Sequence, residues 1–137
     1  MKAPLYNEIL TICQAIANAS TSDNHDERLV ACQSLQKLCA TNQNTPKDHP
    51  LQWEALGDFT DDGEQAIDIY QIGLATADKL SLDNFKASIY LAMALRFNEF
   101  EEPENALEHA KKAQESALNI EDAELKEEIN EFLISLN

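Results

Sequence analysis

GEQAIDIYQIGLATA (residues 63–77) and PENALEHAKKAQESA (residues 103–117) carry one pattern at an offset of forty. Ala66 aligns with Ala106, Tyr70 with Ala110 and Gly73 with Ala113. Spacings of three and four put these positions on one face of a helix, and small residues there let a neighbouring helix approach closely. Ahead of each stretch stands a second matched pair: Trp53-x-x-Leu56-Gly57 in one case, Tyr90-x-x-Met93-Ala94 followed by Phe97 in the other. The chain therefore reads as helical hairpins in tandem.

The same periodicity extends outward. Leu5, Ile9, Ile12, Cys13 and Ile16 mark a helix from Pro4 to about Asn18, ended by the polar run Ser20 to Asn24. Asp23 or Asn24 caps the next helix, whose buried stripe is expected at Leu29, Cys32, Leu35, Leu38 and Cys39. Thr41 to Pro50 has no periodicity and reads as a loop and the best internal boundary. Leu51 to Phe59 forms a short helix closed by Thr60-Asp61-Asp62-Gly63, and Glu64 opens a helix ending near Leu80. Ser81-Leu82-Asp83 re-caps the chain for a helix from about Asn84 to Glu99. Pro103 sits well in a first helical turn, where its missing N–H costs nothing. Ala123, Leu125, Ile129, Phe132, Leu133 and Leu136 mark a last helix, and no segment alternates with the period of a strand.

These residues resemble the tetratricopeptide repeat, whose signature is W-x2-L-G-x2-Y in the first helix of a pair and A-x3-F or Y-x2-A in the second. Strict resemblance covers about residues 51–118. The stretch between Gly57 and Ala66 is about three residues short, with Thr60 where an aromatic is expected, and the first pair is degenerate. The resemblance implies an all-α fold: hairpins at about 4–40, 51–80 and 84–118 stacked as a short right-handed superhelix in one domain, with residues 121–136 as a capping helix.

In that family the first helices line a concave groove that holds a peptide. The matching positions are Asn7, Leu10 and Gln14, then Glu54 and Asp58, then Leu91, Leu95 and Asn98. Members that clamp a carboxylate need Lys, Arg and Asn across the groove, and only Asn7 and Asn98 are present. The expected partner is a protein or peptide with basic and apolar side chains, docked as a helix or an extended segment. A small acidic secretion chaperone and a self-associating scaffold, such as a homodimer joined through the groove, are alternatives.

Composition bounds the rest. The 137 residues are 44% apolar, enough for one packed domain. Ten Lys and Arg stand against 25 Asp and Glu, a net charge of −15, so nucleic acid and anionic membrane surfaces are repelled. Twelve of the acids lie beyond residue 98, a surface suited to steering a basic partner. Asn7, Glu8 and Gln14 interrupt the apolar N-terminal stretch, which reads as a mature helix because a secretory leader needs roughly 7–15 unbroken apolar residues. Three unpaired cysteines suit a reducing cytoplasm.

Motifs for chemistry are incomplete. Asp58-Phe59-Thr60-Asp61-Asp62-Gly63 starts like a calcium loop, but Ile69 stands where a bidentate Glu is required. His25-Asp26 lacks the upstream His of a metal-dependent phosphohydrolase, and His25, His49 and His109 have no metal-ligand spacing. Cys32 and Cys39 fall on an apolar stripe, unlike activated thiols. No phosphate-binding or nucleophile-elbow motif occurs. A binding module without enzymatic activity, cofactor or metal is therefore expected, with a helical metal-dependent hydrolase using scattered carboxylates as the alternative from another class.

Overall fold

The computed structural model describes residues 2–136, and among them the fold is all-α. Seven helices follow one another: α1 (Tyr6–Thr21), α2 (His25–Asn42), α3 (Pro50–Asp58), α4 (Gly63–Lys79), α5 (Asp83–Glu99), α6 (Pro103–Ser116) and α7 (Ala123–Ser135), with no strand among the described residues. The chain divides into two compact units, Met1–Ile69 and Tyr70–Asn137, and the division falls inside α4. The loop after α2 is thus not the internal boundary expected of it.

That loop is pinned. Asp48 Oδ2 accepts the Asn44 amide at 2.8 Å, while its Oδ1 accepts Gln52 Nε2 at 3.0 Å and Trp53 Nε1 at 2.8 Å. A single carboxylate so fixes the loop to the first turn of α3. His49 then caps that helix, its Nδ1 accepting the Leu51 amide at 3.1 Å, with Pro50 in the turn that wants no donor.

Three connections share one geometry. After α1, α4 and α5 the chain passes through Asp23, Ser81 and Glu101 with φ of 57°, 57° and 58°. The next amide reaches back five residues: Asn24 to Ala19 at 2.8 Å, Leu82 to Ala77 at 2.9 Å and Glu102 to Phe97 at 3.0 Å. These are Schellman closures, usually built on glycine, here made without one. The residue that donates the closing bond also starts the next helix, which keeps each turn short. Leu82 and Glu102 do this without a side-chain cap, so Ser81 closes α4 where capping of α5 was expected. Asn24, Asp62 and Asp122 do cap α2, α4 and α7, each accepting first-turn amides at 3.0–3.1 Å.

In the first unit α1 packs on α2, α2 on α3, and α1 on α3. The buried stripe of α2 is Ala31, Leu35 and Cys39: Leu35 and Cys39 are buried as expected, Cys32 and Leu38 are half-buried, and Ala31 takes the place expected of Leu29. Leu29 lies six residues before Leu35, about 120° around the helix, and is 57% exposed. In the second unit α5 packs on α6, α6 on α7, and α5 on α7. Ala87 and Leu91 of α5, Ala113 and Ala117 at the end of α6, and Ile129 of α7 form one apolar cluster, with Tyr90, Leu125, Phe132 and Leu133 against it. Positions 66, 70, 73 and 77 of α4 and the matching 106, 110, 113 and 117 are all buried.

Candidate functional site

On α1, Asn7, Leu10 and Gln14 recur at spacings of three and four, are all exposed, and leave Leu10 42% accessible. On α3, Asp58 is exposed and Glu54 half-buried. The thiol of Cys13 on α1 is raised above its usual range, chiefly by burial and then by the Asp58 carboxylate. Since α1 packs on α3, the structure brings these two sets of side chains onto neighbouring helices.

In the second unit Leu95 is 45% exposed and Asn98 is exposed, but Leu91 is only 5% exposed. Leu91 belongs to the apolar cluster with Ile129, because α7 lies against α5 and covers it. It is a core residue and is not available to line a groove. The surface that α5 offers is carried by Leu95 and Asn98.

Burial, assisted by Asp48, pushes the Cys39 thiol up to about 12, and its Sγ–H donates to the Gln52 carbonyl at 3.3 Å. A thiol held neutral is a poor nucleophile. Asp61 and Asp62, from the stretch that begins like a calcium loop, are engaged otherwise: Asp61 pairs with Arg28 at 3.4 Å and Asp62 caps α4. His25 stands at the start of α2 beside Asp23 at 3.5 Å, both exposed. Among the described residues no three His, Cys, Asp or Glu side chains gather as a metal-holding group. Among them too, no helix is long and apolar enough to cross a membrane.

Two of the clefts among the described residues lie away from every expected groove position. One, of about 410 Å³, lies in the first unit between α2 and the turn joining α3 to α4, with Leu29, Cys32, Leu56 and Phe59 among its walls. Its signal in the sequence is Leu29, a large apolar residue beside the stripe that α2 buries. The other, of about 370 Å³, lies along α5 and α6 and is lined by Lys86, Tyr90, Lys112 and Glu115. Lys86 Nζ donates to Asp78 Oδ1 at 3.1 Å, and this bond holds its ammonium above the usual lysine range. Lys112 pairs with Glu108 at 3.5 Å, so both cations of that cleft are already engaged.

No family model, curated protein or solved structure matches this chain.

Proposed function

We propose that this chain is a tetratricopeptide-like protein-interaction module without enzymatic activity, which holds a basic and apolar segment of a partner protein against its first helices. The observation that carries the reading is packing between alternate helices. In each unit, helices two apart touch, α1 with α3 and α5 with α7, as they do when successive hairpins stack. This arrangement leaves Asn7, Leu10 and Gln14 in one unit, and Leu95 and Asn98 in the other, exposed on first helices. The burial of all eight positions aligned at the forty-residue offset supports the same register. A net charge of −15 favours a partner carrying Lys or Arg.

The test is affinity capture from native extract at low and high salt, with the wild type, Leu10→Glu and Leu95→Glu compared in parallel. A partner retained by the wild type, weakened by salt, and lost from either variant at unchanged helicity supports the reading. Equal retention by all three overturns it.

A further inference from the structure

We propose that the cleft between α2 and the α3–α4 turn is a second docking site, which takes one apolar side chain of a partner segment that carries Lys or Arg next to it. The site lies on the second helix of its hairpin and uses none of the first-helix positions above. Its walls are mixed: Leu29, Cys32, Leu35, Leu56 and Phe59 give an apolar part and polar side chains the rest, around about 410 Å³, room for one aromatic or branched side chain and part of its backbone. Leu29 is 57% exposed, so α2 offers this cleft an apolar side chain that the fold itself does not bury.

The rim decides the charge of the occupant. His25, Arg28, Asp61 and Asp62 are the ionisable side chains lining the cleft. Arg28 spans it as a two-pronged pair with Asp61, Nη1 to Oδ2 and Nη2 to Oδ1, each at 3.4 Å. That pair is long, and the Asp61 side chain is 86% exposed, so it is readily exchanged for another cation. Arg28 keeps a second bond, from Nε to Ser20 Oγ at 3.1 Å, when Asp61 turns to a partner. Asp62 Oδ1 also holds the first amides of α4, and with two carboxylates set against one cation the mouth favours an incoming ammonium or guanidinium and disfavours a carboxylate.

The experiment uses two blocked tripeptides, acetyl-Lys-Phe-Lys-amide and acetyl-Glu-Phe-Glu-amide, titrated into the labelled full chain and followed by NMR chemical shifts. The lysine peptide is expected to move the resonances of Leu29, Cys32 and Phe59 and to bind roughly tenfold more tightly than the glutamate peptide. Asp61→Asn with Asp62→Asn is expected to remove most of that difference, and Leu29→Asp, at an exposed position, to abolish the shifts at unchanged helicity. Equal binding of the two peptides, or no shift at these residues, overturns the assignment. Shifts confined to Leu10, Gln14 or Leu95 overturn it too, while leaving the first-helix reading standing. If the free protein sediments as a dimer that Leu29→Asp converts to monomers, a second copy occupies the cleft and the basic-segment assignment falls.

Discussion

The indole Nε1–H of Trp53 and the side-chain amide of Gln52 converge on one oxygen, Asp48 Oδ1, at 2.8 and 3.0 Å. Gln52 is fully buried and Trp53 nearly so, so both donors depend on that carboxylate to replace the water they lost on folding. Asp48→Ala leaves them unsatisfied and releases the Asn44 amide as well. A loss of about 2 to 4 kcal/mol in unfolding free energy is expected by urea titration. Asp48→Asn keeps an acceptor for Trp53 and Gln52, so its loss should be less than half as large; equal losses would mean that the charge, not the acceptor geometry, holds the loop.

His49 makes the start of α3 sensitive to acid. Its Nδ1 accepts the Leu51 amide, which requires the neutral ring, and burial lowers its pKa below the usual histidine value while Asp48 partly opposes the shift. A group whose folded pKa is depressed contributes stability above its unfolded pKa and loses it as pH falls through the folded one. The contribution is therefore complete above about pH 6.5 and declines below it. His49→Asn supplies a cap that does not titrate. Urea unfolding at pH 7.5 and 5.5 should show a larger decline for wild type than for His49→Asn, and parallel declines would place the acid sensitivity elsewhere.

The three Schellman turns carry backbone strain at Asp23, Ser81 and Glu101. A side chain with a Cβ in the left-handed region costs roughly 1–2 kcal/mol, partly offset because glycine orders more backbone freedom on folding. Replacing Ser81 or Glu101 with Gly should each raise stability by about 0.5–1 kcal/mol, and Asp23→Gly by less because Asp tolerates this region. Glu101 lies both at the C-terminus of α5, where an acid is unfavourable, and before α6, where it is favourable, so its charge nearly cancels. Denaturant midpoints with unchanged slope are the measurement, and no gain at Ser81 or Glu101 would remove the strain from the account.

The same turns explain what could be read from the sequence and what could not. Alanines at spacings of three and four marked the buried face of α6, because a helix with one covered side must repeat that way. Pro103 and Asn24 marked helix starts by their own backbone chemistry. The Schellman ends gave no glycine to notice: their left-handed residues are Asp23, Ser81 and Glu101, all of them exposed. Leu91 and Leu95 look alike in sequence, four residues apart on α5. Only the arrival of α7 from thirty residues downstream covers one and leaves the other in solvent. Leu29 fits the apolar spacing of α2 yet lies outside its buried stripe for the converse reason, since it is apolar without being covered.

That difference between alike leucines supports a last prediction. Leu91→Glu puts a carboxylate into the cluster of Ala87, Ala113 and Ile129, with no cation among those residues to pair it. A loss above about 3 kcal/mol is expected, with thermal unfolding well below wild type. Ala110→Leu adds three carbons to a fully buried notch and should cost about 1–3 kcal/mol by overpacking. Leu10→Glu and Leu95→Glu, at solvent-exposed positions, should stay within about 0.5 kcal/mol of wild type. Circular-dichroism melts on the four variants separate the two classes. If Leu91→Glu melted with Leu95→Glu, α7 would not cover α5 in solution and Leu91 would return to the binding face; if Ala110→Leu melted like wild type, the register that aligns Ala110 with Tyr70 would be wrong.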